Sequence, residues 1–209
     1  GLKGDFLDRT LRVNAAAFYM DYTDLQIVRF GPTADNPDFG QFSTENVGEA
    51  EIAGVEAEIT WAPSENFRLF ATYAYLDTAV DDFTINGIDP TAIPGNSDDL
   101  RQAPENKYSL GGVVDFPLAG GSMISLRADY YHTDEQINDY INQKTVIDAF
   151  DLLDARVSWT SASGNWQVAL WGKNLTDEEW VSHSYTIGPG VIGVWGAPAL
   201  YGVSVSYEL

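Results

Sequence analysis

The sequence predicts an all-β protein, an antiparallel up-and-down segment of a transmembrane β-barrel with about nine strands. Three observations predict this fold class. Apolar and polar side chains alternate along many short stretches, which is the period of a strand whose two sides face unlike surroundings. The connections between these stretches alternate between tight turns and long polar loops. Large aromatic residues recur near the ends of the apolar faces, as they do in the girdles of membrane barrels.

The clearest pattern runs from residue 46 to residue 76 and predicts two strands joined at a turn. We place the turn at 62–66, because Pro63 has a fixed φ and the neighbouring Ser64 and Asn66 favour turns. The first strand has Ala53, Val55, Ala57, Ile59 and Trp61 on one face and Glu56 and Glu58 on the other. The return strand has Phe67, Leu69, Ala71, Tyr73 and Tyr75 on its apolar face.

The rest of the chain follows the same plan. We expect the end of a strand at 1–7, a long strand from 11 to 30, and a loop at 31–40 (GPTADNPDFG), where Gly, Pro and Asn are frequent. Further strands are expected at about 107–116, 124–131, 153–160, 166–173 and 201–209. The expected tight turns lie near 8–10, 62–66, 118–121 and 161–165. The expected long loops lie near 31–45, 78–101, 134–148 and 178–198.

Two groups of aromatic residues share the apolar faces of the expected strands. The first group lies beside the tight turns and comprises Trp61, Phe67, Phe116, Trp159 and Trp166. The second group lies several residues away and comprises Tyr19, Tyr73, Tyr75 and Tyr130. An apolar band between two aromatic girdles is typical of a barrel whose outer face contacts lipid.

The opposite faces of these strands carry charges of both signs. The charged residues expected there are Arg12, Glu56, Glu58, Arg127, Asp129, Asp154 and Arg156. An unpaired charge is costly in a dry core, so this composition favours a water-filled lumen. We therefore expect these seven residues to face the lumen.

Composition excludes several functions. The 11 Lys and Arg residues against 31 Asp and Glu give a formal net charge of −20, which would repel nucleic-acid phosphates. The chain has no cysteine, so thiolate metal sites, cysteine nucleophiles and disulfides are absent. No apolar run approaches the roughly 18 residues of a transmembrane helix. We find neither a nucleophile elbow nor an acid/base pair, and we expect no enzyme activity and no cofactor.

Two further features have a modest interpretation. His132 and His183, the two histidines of the chain, lie near expected outer strand ends and are expected to be ordinary surface or lumen residues. The acidic residues between 77 and 99 are expected to form a solvated loop, because no spacing among them matches a calcium loop. Binding of Ca²⁺ or of a cationic ligand there is the alternative.

Five stretches of the chain occur in an order that is typical of one family. They are 11–24 (LRVNAAAFYMDYTD), 46–77 with its core GVEAEITWAP, 103–108 (APENKY), 171–177 (WGKNLTD) and 201–209 (YGVSVSYEL). Together they resemble the C-terminal part of the barrel of TonB-dependent outer-membrane receptors. The resemblance covers essentially the whole chain.

The resemblance implies a barrel of roughly 22 strands around an N-terminal plug. Residues 1–209 would then form about the last two-fifths of the barrel, with the plug and the TonB-contacting segment upstream of this sequence. It also implies energy-driven uptake of a scarce nutrient of the siderophore-iron, cobalamin or carbohydrate class, across the outer membrane of a Gram-negative bacterium. The implied partners are outer-membrane lipid, TonB through the missing N-terminal part, the barrel-assembly machinery and a small-molecule ligand such as a metal chelate.

The C-terminus departs from the family pattern. Family members usually end in an aromatic residue that the assembly machinery recognises, whereas this chain ends in Tyr207-Glu208-Leu209. The residues Gly202, Val205, Tyr207 and Leu209 still resemble the insertion signal.

Two other architectures share the alternating pattern. A complete small outer-membrane barrel, porin-like or structural, would need about eight strands and an interior filled by side chains. A soluble ligand-binding β-sandwich would also alternate, but it does not explain the alternation of short and long connections or the aromatic residues at strand ends.

Overall fold

The structure, a computed structural model, describes residues 1–33, 36–46, 48–85, 87–187 and 190–208. Thirteen strands lie in these ranges, and short 3-10 turns are formed by Pro90–Ala92 and Gln143–Thr145. The strands are β1 (Leu2–Phe6), β2 (Leu11–Tyr22), β3 (Gln26–Thr33), β4 (Asn36–Asn46), β5 (Glu49–Ser64), β6 (Phe67–Asp81), β7 (Asn106–Pro117), β8 (Met123–Thr133), β9 (Phe150–Thr160), β10 (Trp166–Lys173), β11 (Val181–Ile187), β12 (Gly190–Trp195) and β13 (Leu200–Tyr207).

Nine of these strands form one antiparallel sheet in the order β1-β2-β5-β6-β7-β8-β9-β10-β13. The remaining four form two separate hairpins, β3-β4 and β11-β12, each inserted in a connection of the main sheet. The nine-stranded antiparallel sheet confirms the predicted fold class.

The connections of the main sheet differ in length at its two edges, by which we mean the two borders where the strands begin and end, not the outermost strands. One edge has the short turns between β1 and β2, β5 and β6, β7 and β8, and β9 and β10. The opposite edge has four long connections, 23–48, 82–105, 134–149 and 174–199, which we call together the loop cap. The predicted alternation of short and long connections is therefore correct.

The apolar face of the sheet is exposed. Leu110, Leu170 and Val203 lie mid-strand and are 53%, 60% and 65% exposed. Among the described residues, no second layer covers them, so this is not a β-sandwich.

The buried apolar core lies instead beside the loop cap. Its members are Ile27, Ala50, Val80, Phe83, Ile85, Ile137 and Tyr140, each no more than 8% exposed. The Phe83 and Tyr140 rings meet edge to face at 4.6 Å between centroids. Three of the four long connections thus share one core, and the fourth is joined to it by hydrogen bonds from Ser184 Oγ to the Thr145 carbonyl (2.8 Å) and from Asn142 Nδ2 to Thr186 Oγ1 (3.2 Å).

Two predictions near the N-terminus were wrong. The strand expected from 11 to 30 ends at Tyr22, and the chain turns at Asp24, whose φ is +58°. The expected loop at 31–40 contains the facing ends of β3 and β4. Both strands are edge strands of an isolated ribbon, so Pro32 and Pro37 interrupt no central hydrogen-bond ladder.

Two other boundaries also differ from expectation. Strand β5 continues through Pro63 to Ser64 with a register shift after Trp61, which leaves a shorter turn than 62–66. The connection expected as a loop at 178–198 contains the β11-β12 hairpin. Its pairing is local and has little of the alternation that marks the main strands.

Candidate functional site

The charged face of the main sheet contains all seven residues that were predicted to face a lumen. Residues registered opposite one another on antiparallel strands share a face, and so do alternate residues along one strand. One row of the register contains Asn14, Glu58, Thr72 and Ser109. Another contains Arg127, Arg156, Trp171 and Gly202. We call this the polar face.

Polar residues near the first strands form one local group. The Arg12 Nε lies 2.8 Å from Asp5 Oδ1, and Asn14 Nδ2 donates to Glu58 Oε2 at 3.0 Å. Glu56 is registered opposite Ala16 on one neighbouring strand and opposite Ala74 on the other, so its cross-strand neighbours have small side chains. Asp5 was missed by sequence reasoning, although its position in β1 directly opposite Arg12 was the available signal.

A second charged group lies on β8 and β9. Arg127 is registered opposite Arg156, and Asp129 is registered opposite Asp154. Like charges in these positions repel, and the repulsion is relieved along the strand. Arg127 forms a two-bond pair with Asp129, with N–O distances of 2.7 and 2.8 Å, and its guanidinium lies 5.0 Å from the centre of the Phe70 ring.

Arg156 and Asp154 use different partners. Arg156 Nη2 donates to Ser204 Oγ at 3.4 Å, and Asp154 Oδ1 accepts from the backbone N–H of Asn174 at 2.9 Å. The Trp171 ring lies against Gly202, where any side chain would collide with it. The second group therefore joins β8, β9, β10 and β13, and it also contacts β6 through Phe70.

The predicted aromatic residues all share the apolar face, in two belts. Near the short turns, Trp61 packs edge to face on Phe67 (6.4 Å between centroids), and Trp166 contacts Tyr207 (4.8 Å). Phe116 and Trp159 lie in the same register row at this edge. Tyr73, Tyr75 and Tyr130 lie toward the loop cap.

A hydrogen-bonded network joins four strands at the cap-side belt. Tyr73 Oη donates to Asn106 Oδ1 (2.9 Å), and Asn106 Nδ2 donates to Asp134 Oδ2 (2.8 Å). His132 lies between Asp134 (Nε2 to Oδ1, 3.0 Å) and Asp151 (Nδ1 to Oδ1, 2.7 Å).

The same network extends beyond His132. Tyr130 Oη donates to Asp151 Oδ1 at 2.6 Å, and Tyr108 stacks on His132 with 4.7 Å between ring centres. Hydrogen bonds from His132 and then from Asn106 lower the pKa of the Asp134 carboxyl. Sequence reasoning placed His132 as an ordinary residue and missed this network, because the partners come from four different stretches.

The loop cap contains an acidic cleft of about 650 Å³. Carboxylates from three segments line it, namely Asp77, Asp99, Glu105, Asp134 and Glu135. No group of three or more His, Asp or Glu residues within the described ranges is placed to hold a metal ion. The acidic 77–99 stretch thus contributes to a cleft wall, together with residues of the next connection.

The residues of the expected insertion signal lie on β13. Val205 and Tyr207 are on the apolar face and are 61% and 51% exposed, while Gly202 is on the polar face against Trp171. Leu209 lies outside the described residues. No helix in the described part of the chain is long and apolar enough to cross a membrane.

The geometry defines a class of protein. An antiparallel sheet with one exposed apolar face, one charged face and aromatic belts at both edges is the wall of a transmembrane β-barrel. The family model described as "TonB dependent receptor-like, beta-barrel" matches residues 1–175. The chain therefore belongs to the TonB-dependent receptor β-barrel family, as its resemblance predicted.

Individual relatives agree with this assignment. The metal-pseudopaline receptor CntO of Pseudomonas aeruginosa is 26% identical over 200 residues, which are 95% of this chain and 25% of the relative. The ferric yersiniabactin uptake receptor FyuA from Yersinia pestis has a similar structure, with a TM-score of 0.79, 15% identity and coverage of 99% of this chain and 28% of that chain. The siderophore receptor PiuA from Acinetobacter baumannii is similar with a TM-score of 0.75 and 20% identity, and the match covers 98% of this chain and 27% of that chain.

The chain spans about a quarter of the length of these proteins. Members of the family are receptors and transporters, and they are outer-membrane proteins of Gram-negative bacteria. They bind small-molecule ligands such as metal chelates.

Proposed function

We propose that this chain is the C-terminal part of the barrel of an outer-membrane receptor that takes up a scarce small molecule with energy supplied through TonB. The observation that carries the proposal is the two-faced sheet with a structured loop cap at one edge only. Such a wall separates lipid from a wet interior, and the cap offers ligand-binding surface at one mouth. The barrel itself performs no chemistry and serves as scaffold and conduit.

The proposed orientation follows from the solvents that the two faces tolerate. Leu110, Leu170 and Val203 on the apolar face meet outer-membrane lipid, whereas Arg127 and Asp129 on the polar face meet the aqueous lumen. Short turns are typical of the periplasmic side and long loops of the extracellular side. The loop cap is therefore the extracellular part.

Strand direction supports a larger barrel than the sheet alone. Strand β1 ends at the turn to β2, and β13 ends where Glu208 N–H donates to the Asn165 carbonyl in the turn between β9 and β10. Both strands thus run toward the short-turn edge, and they would be parallel if they paired with each other. Antiparallel closure needs an odd number of further strands, which fits a barrel of roughly 22 strands.

The proposed partners follow from this role. An upstream plug and a TonB-contacting segment would couple the receptor to the inner-membrane proton gradient. The barrel-assembly machinery would recognise β13, whose Val205 and Tyr207 are exposed on the apolar face. The ligand is proposed to be a metal chelate, since the relatives described above are named as receptors for metal-pseudopaline and ferric yersiniabactin.

The test is uptake by whole cells of the source organism. We expect deletion of the gene to abolish accumulation of at least one labelled compound from a panel of ferric siderophores, cobalamin and oligosaccharides. Complementation should restore it, and a protonophore should remove it again, because uptake needs the proton gradient. Accumulation that survives the deletion, or complemented uptake that ignores the protonophore, would contradict the proposal.

A further inference from the structure

A second cleft of the loop cap, with a volume of about 550 Å³, differs from the acidic one in its chemistry. Residues from all four long connections line it, including Ile27, Gln102, Asn138 and His183. The strands that these connections leave include β2 and β10, which are six positions apart in the sheet. The cleft therefore exists only because the connections fold over toward one another.

The cleft is built from side chains that the surrounding structure holds in place. Gln102 has a φ of +57°, a strained value for a residue other than glycine, and its N–H donates to the Ile137 carbonyl at 3.0 Å. Its side-chain Nε2 donates to Asn138 Oδ1 at 2.8 Å and lies 3.5 Å from His183 Nδ1. Asn138 is only 6% exposed, so the floor of the cleft is fixed before any ligand arrives.

Arg101 supplies a positive charge to this cleft. Its guanidinium lies over the Tyr140 ring at 5.0 Å from the ring centre, and Tyr140 is anchored in the buried core. None of the salt bridges formed between described residues involves Arg101. A guanidinium held against an aromatic face keeps its planar fork of donors available for a carboxylate.

Among the described residues that line the cleft, Asp139 is the one carboxylate. Asp139 Oδ1 accepts from the backbone N–H groups of Ile141 and Asn142, both at 2.9 Å. Its charge is thus partly neutralised by the adjoining turn. The acidic cleft, by contrast, has five carboxylates among the lining residues that the structure describes, and none of those residues is Lys or Arg.

We propose that the cleft at Arg101, Gln102 and His183 binds a carboxylate group of the ligand, and that the transported chelate is therefore carboxylate-bearing. The guanidinium pairs with the carboxylate, and the neighbouring imidazole and amide groups complete a polar pocket around it. The overall charge of −20 does not prevent this, because charges farther away than about 8 Å are largely screened at physiological ionic strength. The inference rests on the proposed function and deepens it.

The test is isothermal titration calorimetry on the full-length receptor in detergent. The probes are citrate, inorganic phosphate and the neutral triamide of citric acid. We expect citrate to bind, the triamide not to bind, and phosphate to bind more weakly than citrate. Arg101→Gln should weaken citrate binding by between about tenfold and a hundredfold, the range for a lost hydrogen bond to a charged group.

Two further variants test the geometry of the contact. Arg101→Lys keeps the charge but lacks the planar fork, so its affinity should lie between those of the wild type and Arg101→Gln. Arg9→Gln, in a short turn at the opposite edge, should bind citrate as the wild type does. Wild-type protein that ignores citrate, an unchanged Arg101→Gln variant, or equal binding of the triamide or of phosphate would each overturn the inference.

The calorimetric result is independent of the uptake result. Binding in detergent needs neither TonB nor a proton gradient. If citrate binding fails while gene deletion still abolishes energised uptake, only the carboxylate inference is wrong. If citrate binds through Arg101 while uptake does not depend on the gene or on the gradient, only the proposed function is wrong.

Discussion

The main sheet and the loop cap differ in where they place apolar side chains. In the sheet, mid-strand residues such as Leu170 and Val203 are 60% and 65% exposed. In the loop cap, Phe83 and Ile85 are only 2% and 6% exposed and pack with Tyr140 in one core. The sheet alone would be unstable in water, whereas the cap is arranged like a small water-soluble domain.

The difference indicates that the two regions of the chain are suited to different solvents. Lipid covers the apolar face of a barrel, so its strands need no second layer. The cap meets water, so its connections must bury apolar side chains against one another. Substitutions should therefore have opposite tolerances in the two regions, which can be measured.

Removing Phe83 should have the largest effect. Phe83→Ala deletes a ring that is 2% exposed at the centre of the cap core, and we expect a local loss of about 3–5 kcal/mol. Hydrogen exchange of the full-length receptor should show that the cap opens while β7 to β10 stay protected. Ile88→Ala is the control, because Ile88 lies in the same connection but is 45% exposed. A loss of protection spread evenly over the sheet would contradict two separately stabilised regions.

A charge on the apolar face should have the next largest effect. Leu110→Arg places a charge in lipid and should cost about 2–4 kcal/mol if the residue lies near the bilayer midplane. The free energy of unfolding of the full-length receptor in lipid vesicles measures this. Thr72→Arg, on the polar face of the neighbouring strand, should cost less than about 1 kcal/mol. Equal costs for the two variants would show that both faces meet the same solvent.

Asn174 joins the start of the last long connection to its end. Its Nδ2 donates to the carbonyls of Glu178 (2.9 Å) and Ala197 (3.1 Å), and its Oδ1 accepts from Glu178 N–H (2.9 Å). Asn174→Ala should cost about 1–3 kcal/mol, because the three hydrogen bonds of a side chain that is only 4% exposed are lost. Hydrogen exchange at residues 174–199 measures the effect. Asn165→Ala removes the donor of a solvent-exposed hydrogen bond in a short turn, and its cost should be less than half that of Asn174→Ala. A larger cost for Asn165→Ala than for Asn174→Ala would refute the argument.

The smallest effect should come from Asp134. Its pKa is lowered by His132 and Asn106, so the carboxylate stabilises the fold above the ordinary pKa of Asp. That contribution is lost as the pH falls through the lowered value, and partial exposure limits it to at most about 1 kcal/mol. The midpoint temperature of thermal unfolding should be higher for the wild type than for Asp134→Asn at neutral pH, and the two midpoints should converge in acid. A constant difference at all pH values would contradict the ion-pair explanation.

The periodic parts of the fold could be predicted from the sequence. Alternation places Arg127 and Arg156 on one face and Trp159 and Trp166 on the other, and the structure agrees, because side-chain direction in a strand depends only on parity. Three of the four short turns were likewise located by their Gly, Pro and Asn residues, to within a few positions; the turn at 8–10 (Asp-Arg-Thr) has none of these residues.

The loop cap and its clefts could not be predicted. Phe83, Ile137 and Tyr140 follow no period in their connections and meet only because separate strands carry those connections to one edge. The cleft around Arg101 also depends on His183, which lies more than 80 residues away in sequence. No local pattern encodes a contact of that kind.

The shared core of the loop cap limits how such receptors can be recombined. Ile27, Phe83 and Ile137 come from three different connections and pack together. Ser184 ties the fourth connection to the third. A single connection exchanged with a homologue would bring a mismatched surface into this core, so epistasis among the four should be strong. Ligand preference should then depend on the four connections as a set. Chimaeras that exchange all four at once should therefore fold and bind better than chimaeras that exchange one.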